Sequence, residues 1–336
     1  MKKSLLALAV LTAVSGAAFA QSSVTLYGKV DLGLVLDSGN TQGKSIRVDS
    51  GVTGGSRIGF KGVEDLGGGM KAAFQLETGY CADSAAGAAN FCTGSNNFMG
   101  RQAHGDLTGA FGALSAGRQY SIGFNNLSTI DPFGTGFAGQ VNNIVDPSGI
   151  RLNNSVTYAT PNMNGFVGSA EISFGEGTGN WQANRETGAG LTYASGPAYV
   201  GFSFYDLGNA NGNGAARKNY LLGGTYDFGV VKLHALVQKS TGPDTLDVLD
   251  IMGGVTVPIA GGNLMASYIR HNDKTIANKD ANQIGVGYIY PLSKRTSVYT
   301  AFARIQNDHG ATFTVGNATA TGTGDKAFNF GVVHNF

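Results

Sequence analysis

The strongest constraint on this chain is a period of two, sustained over segments longer than a soluble sheet needs. Val24, Leu26, Gly28, Val30, Leu32, Leu34 and Leu36 share one face, and Lys29 and Asp31 fall on the other. Such a segment is about twice an ordinary strand, and it matches the roughly 9–11 residues with which a tilted strand crosses a bilayer. Ile58 and Phe60 alternate with Arg57, Gly59 and Lys61, and Met70, Ala72, Phe74 and Leu76 alternate with Lys71, Gln75 and Glu77. Phe166, Gly168, Ala170, Ile172 and Phe174 alternate with Glu171. Val231, Leu233, Ala235 and Val237 stand against Lys232, His234 and Gln238, and Ile284, Val286, Tyr288 and Tyr290 form one more face.

Alternation also occurs in soluble sandwiches, so the connections decide. Seven are short, at 65–69, 109–112, 161–165, 195–197, 227–229, 258–262 and 291–294. Between them fall eight longer ones, at 37–55, 81–98, 120–152, 175–186, 207–217, 239–250, 272–281 and 307–325. Strict alternation puts the long loops at one end and the turns at the other. Fifteen connections make sixteen strands, with both termini on the short-turn side, which is the geometry of an outer-membrane barrel. Closure is then obligatory, because an open edge in hydrocarbon would leave N–H and C=O groups unpaired. Aromatic residues near strand ends (Tyr27, Phe60, Tyr80, Tyr158, Tyr193, Tyr205, Tyr290) fit girdles at the two membrane interfaces. The predicted fold is all-β: a 16-stranded antiparallel transmembrane β-barrel, one domain over 21–336.

Composition agrees. There are 53 Gly, and only 13% of residues are charged, about half the usual share. No stretch reaches the eighteen apolar residues of a membrane helix. Residues 1–20 read as a secretory signal: a basic Met1-Lys2-Lys3 head, an apolar run from Leu5 to Leu11, and Ala18-Phe19-Ala20 before the cleavage point. Export implies an oxidising compartment, so Cys81 and Cys92 read as one local disulfide.

The segment 120–152 is far longer than an ordinary connection, and it shows no convincing helical or strand period. It carries Asp131-Pro132-Phe133-Gly134 and Asp146-Pro147-Ser148-Gly149. The expectation is that it folds into the space the strands enclose.

Particular residues also carry a resemblance. Ser23-Val24-Thr25-Leu26-Tyr27-Gly28 with Asp31 resembles the opening strand of the general porins of betaproteobacteria. Ser56-Arg57-Ile58-Gly59-Phe60-Lys61-Gly62 with Glu64-Asp65-Leu66-Gly67 resembles their second strand and first turn, and Gly117-Arg118-Gln119-Tyr120 the end of their fifth strand. The aromatic terminus Phe336 resembles the signal read by their barrel-assembly machinery. The resemblance implies a homotrimer in the outer membrane of a Gram-negative bacterium, among lipid and lipopolysaccharide. It also implies passive diffusion of small hydrophilic solutes and ions, and a third long loop that narrows the pore. Asp131-Pro132-Phe133-Gly134 stands where such porins often carry Pro-Glu-Phe-Gly, with the acidic residue displaced to precede the proline.

Candidate constriction residues follow. Arg57 lies opposite Ile58 and Phe60 in parity and points to the lumen, since an Arg facing lipid at mid-depth costs about 2–4 kcal/mol. Arg101 and Arg118 fit the family's lumen arginines, although parity puts Arg118 with Leu114 and Ala116 unless a bulge at Gly117 shifts the face. Arg151 ends the long loop. Against them stand Asp131 and Asp146, giving a transverse field across a wet eyelet. Basic candidates outnumber acidic ones, which points to weak anion preference. Lys29, Lys61, Lys71 and Lys232 would add to it, and Asp31, Glu77 and Glu171 would oppose it.

Enzymatic readings fare poorly. The five histidines are scattered without metal spacing, and there is neither a G-x-S-x-G elbow nor a P-loop. No cofactor is implied, and Lys and Arg do not cluster as nucleic-acid binding requires. The rival readings are a solute-selective porin, a structural or adhesive barrel with a plugged lumen, and a secreted soluble sandwich.

Overall fold

The computed structural model describes residues 23–40, 43–84, 98–147, 149–175, 180–209, 215–243, 246–316 and 324–336. Among them are seventeen strands in one antiparallel sheet. In chain order these are β1 (Ser23–Asn40), β2 (Gly43–Ser50), β3 (Arg57–Gly67), β4 (Met70–Gly79), β5 (Gln102–Gly109) and β6 (Gly112–Tyr120). A helix, α1 (Ile122–Ile130), and a 3-10 turn (Val141–Asn143) precede β7 (Arg151–Ala159), β8 (Phe166–Ser173), β9 (Glu186–Ser195) and β10 (Ala198–Gly208). Then come β11 (Ala215–Asp227), β12 (Lys232–Gly242), β13 (Leu246–Ile259) and β14 (Gly262–Asp273). The last are β15 (Ala281–Pro291), β16 (Thr296–Asn307) and β17 (Lys326–Asn335).

The sheet closes on itself, because β1 pairs with β17 from Lys29↔Asn335 to Ser38↔Lys326. On its other edge β1 has two partners end to end: Leu32–Asn40 pairs with β2, and Ser23–Lys29 with β3. β2 and β3 thus share one position in the wall, and seventeen strands make a sixteen-stranded closed barrel.

Burial is inverted relative to a soluble protein. On β15 Gln283 is fully buried while Ile284 and Val286 are half exposed, and on β17 Asn329 is buried between exposed Phe328 and Phe330. Polar side chains on the inner face and apolar ones on the outer face are stable only with hydrocarbon outside. The seam is finished by Phe336, whose N–H and C=O each bond to Gly28 at 3.0 Å.

Two expectations are corrected. The first long connection, 37–55, is mostly strand: β1 runs on to Asn40 and β2 returns as a hairpin, with exposed Ile46 and Val48 continuing the apolar outer face. The segment 120–152 holds a helix. Ser121 caps it by accepting from Phe124 N at 3.1 Å. Ile122, Asn126, Leu127 and Ile130 form its buried face at helical spacing. Leu127, Ile130, Phe133, Phe137, Val141, Ile144 and Val145 join Leu221, Leu236, Met252, Ile269 and Ile305 of the strands in one buried apolar cluster.

Candidate functional site

The inward faces of adjacent strands bring three of the expected arginines into one connected group. Tyr27 crosses to Gly59, its partner on β3, where a Cβ would lie 2.5 Å from the ring. That space lets the Tyr27 hydroxyl donate to Glu77 Oε2 at 3.0 Å. Glu77, only 2% exposed, also accepts from Arg101 Nε at 2.6 Å and lies 3.7 Å from Arg57 Nη1. A lone buried carboxylate would be costly, and so would unpaired guanidinium groups at such range. One carboxylate between two cations satisfies both and leaves positive charge over.

Tyr120, the last residue of β6, extends the group. Its hydroxyl accepts from Arg101 Nη2 at 2.6 Å and from Arg151 Nη2 at 2.9 Å. The Arg151 guanidinium lies 4.5 Å over the Tyr120 ring, which stacks on Phe124 of α1 at 4.9 Å. Arg57, Arg101 and Arg151 therefore form a continuous chain through Glu77 and Tyr120. In the sequence, parity singled out Arg57, family resemblance Arg101, and its place at the end of the long loop Arg151; Tyr120, whose role depends on where α1 begins, was not singled out, and Glu77 was read only as an opposing charge.

Arg118 stands outside this chain of contacts. The extra residue in the β6–β7 ladder falls on β7, where Gly117↔Ser155 is followed by Gln119↔Leu152. Arg118 donates to Gly100 O at 2.7 Å and to Asn153 Oδ1.

The two loop aspartates also differ from expectation. Asp131 is 5% exposed, and its oxygens accept from the backbone N–H of Phe133, Thr135 and Val141 at 3.1, 2.9 and 3.0 Å. Burial pushes its carboxyl up to about 6, although those three bonds pull the other way. Its charge is spent on the turn after α1. Asp146 accepts from Arg217 Nη1 of β11 at 2.6 Å, and its carbonyl from Gln238 Nε2 at 2.7 Å.

The segment is tied to the strands along its length. Ile122 N donates to Glu171 at 3.3 Å, Gly123 N to the Tyr205 hydroxyl at 3.0 Å, and that hydroxyl donates to Glu171. Asn126 accepts from the Tyr199 hydroxyl at 2.8 Å, and the carbonyl of Ile130 lies 2.7 Å from His234 Nδ1. Farther on, Gln283 Nε2 donates to Gly139 O at 3.0 Å. These anchors lie on β8, β10, β12 and β15, whereas Arg57 is on β3, Arg101 just before β5 and Arg151 on β7. Lys61 sits 5.4 Å over the Tyr27 ring, outside the cluster. Cys81 is disulfide-bonded; Cys92 lies outside the described residues. No group of His, Cys, Asp and Glu with metal-binding geometry occurs among the described residues.

Comparison with known proteins agrees with this architecture. Residues 7–310 match the family model described as Gram-negative porin. The chain is 37% identical to outer membrane porin protein 32 of Delftia acidovorans, over 93% of this chain and 92% of that one. It is 33% identical to an outer membrane porin protein of Bordetella pertussis, over 89% and 93%. Among solved structures, the anion-selective porin from Comamonas acidovorans superposes with a TM-score of 0.80 at 29% identity, covering 94% of this chain and all of that one. The chain belongs to the Gram-negative porins of the betaproteobacterial type: it is an outer-membrane channel protein and not an enzyme.

Proposed function

We propose that this porin is a general diffusion channel with weak anion preference, and that segment 120–152 lies inside the barrel and narrows it. The observation that carries the preference is the division of charge. Arg57, Arg101 and Arg151 share a single carboxylate, Glu77, while Asp131 is consumed by backbone N–H groups and Asp146 faces Arg217. A surplus of fixed positive charge in a narrow wet passage raises the local concentration of anions without holding them tightly.

The inward position of the segment is supported by its partners. His234, Leu236 and Gln238 of β12 are buried and meet it, while the intervening Leu233, Ala235 and Val237 are exposed on the other face. The remaining parts of the reading come from resemblance and sequence. They are removal of residues 1–20, a Cys81–Cys92 disulfide, a homotrimer among lipid and lipopolysaccharide, and Phe336 as the assembly signal.

Single-channel recording of detergent-purified protein in a planar bilayer under a salt gradient tests the proposal. Conductance in threefold steps with a reversal potential on the anion side is expected. A cation-side potential would overturn the charge assignment. Silence from well-folded protein would replace the open channel with a plugged barrel.

A further inference from the structure

The wall of the barrel is interrupted where β2 ends and β3 begins. Val30 and Asp31 of β1 stand opposite six residues, 51–56, because Leu32 pairs with Ser50 and Lys29 with Arg57. The surplus leaves the sheet as a strap. We propose that this strap is a second constriction element, and that Gly54 and Gly55 set the width of the aperture beside the arginines. The inference rests on reading the chain as an open channel, and it deepens that reading by naming residues that limit solute size.

The strap leaves the sheet on the inner side. Asp31, which holds it, is fully buried and lies on the face of β1 opposite exposed Val24, Leu26 and Leu34. The Asp31 carboxylate accepts from Thr53 N, from Thr53 Oγ1 at 2.7 Å and from the Tyr299 hydroxyl at 2.8 Å. Its carbonyl accepts from Gly51 N at 2.9 Å and Ser56 Oγ at 3.1 Å, and Gly54 N closes a turn onto Gly51 O at 3.1 Å. With so many bonds on one residue, the strap is a built element with a fixed position.

It meets the long loop at one edge and the arginines at the other. Val52, 4% exposed, packs in the same apolar cluster as Phe133 and Phe137, and its carbonyl accepts from Phe137 N at 2.6 Å. Gly136 passes directly beneath Thr53, where a Cβ would come within 2.5 Å of the Thr53 carbonyl oxygen. The far end of the loop is thereby joined to the wall.

At the opposite edge Arg57 Nη2 donates to Gly54 O at 3.3 Å. A Cβ on Gly55 would lie 2.6 Å from Arg101 Nη1, and one on Gly54 would lie 4.0 Å from Lys29 Nζ. Both glycines have positive φ, +119° and +30°. Three cationic side chains therefore converge on a dipeptide that contributes only backbone. Any atom added there enters the space in front of the guanidinium groups.

The test is planar-bilayer recording of wild type, Gly54→Cys and Gly55→Ala, with polymer exclusion as a measure of width. A cationic thiosulfonate reagent added to open Gly54→Cys channels is expected to lower conductance in discrete drops of at least twofold, with wild type unaffected. Gly55→Ala is expected to lower conductance and the size of polymer admitted. Gly54→Cys current that stays unchanged after its modification is confirmed by mass would overturn the proposal. Should the glycine variants not assemble, Thr53→Val removes one bond to Asp31 at constant volume. It is expected to give a wider, noisier open level, and a wild-type trace from it would equally overturn the strap's role. Silent wild-type protein would sink the channel reading itself, a result distinct from all of these.

Discussion

Two halves of the inner face do opposite things with their polar groups. From β3 to β7 the strands present Arg57, Arg101 and Arg151, tied to one another through Glu77 and Tyr120. From β8 to β15 they present Glu171, Tyr205, Tyr199, His234 and Gln283, and each of these anchors the segment between β6 and β7, directly or through a neighbour. On the reading proposed above, the first half leaves charge for solutes. On the second, hydrogen bonds and apolar packing hold a structure in place, and the loop's own Asp131 is spent on its backbone. Substitutions on the arginine half should therefore change what passes, and those on the anchoring half should change how steadily the passage is held.

The largest effect tests the arginine half. Replacing Arg57, Arg101 and Arg151 together by Ala leaves Glu77 as the one charge of the connected group, with Lys29 nearby. The reversal potential under a salt gradient is expected to cross from the anion to the cation side, a change in permeability ratio on the order of 10-fold or more. An unchanged sign would break the comparison, because selectivity would then arise elsewhere.

Asp131→Asn tests the other half. The amide keeps one acceptor but turns an NH2 toward N–H donors, so at least one buried donor loses its partner, at about 1–3 kcal/mol. Noisier open levels with unchanged ion preference are expected. The variant also isolates a pH effect. The Asp131 carboxyl is raised from 3.8 to about 6, so between these values the folded state holds more protons than the unfolded state. Its contribution to stability therefore grows as pH falls through about 6 and is complete below 3.8. Measured in detergent, wild type should gain on Asp131→Asn by about 2 kcal/mol between pH 7 and pH 4. A difference that does not vary with pH would mean that the three N–H bonds offset the effect of burial on this carboxyl.

The barrel was legible in sequence because hydrocarbon permits no exceptions: Phe328, Phe330 and Val332 must face out, and the even spacing follows. Arg57 was legible for the same reason, as a cation opposite apolar neighbours. β2 was not, because Ser45, Arg47 and Asp49 on one face and Lys44 beside Ile46 and Val48 on the other read as loop, and the hairpin's pairing lies in its backbone. Asp131 was read as a pore charge; that it accepts from N–H groups up to ten residues ahead is invisible until the turn folds. The strap at 51–56 reads as ordinary glycine-rich loop; only the register of β1 against both β2 and β3 reveals it.

The smallest expected effect is the most discriminating about mechanism. Tyr120→Phe removes the oxygen that receives Arg101 and Arg151, but it keeps the ring between Phe124 and the Arg151 guanidinium. A hydrogen bond to a charged group is worth roughly 1.5–3 kcal/mol where it is sheltered. In a wet passage water takes its place, and much of that is recovered. Anion preference should therefore persist, with a permeability ratio changed by less than about twofold, because the surplus charge itself remains. A loss as large as that of the triple arginine variant would show that charge alone does not select. The geometry in which Tyr120 holds two guanidinium groups would then be the selective element, and the division between a charged half and an anchoring half would have to be redrawn through β6.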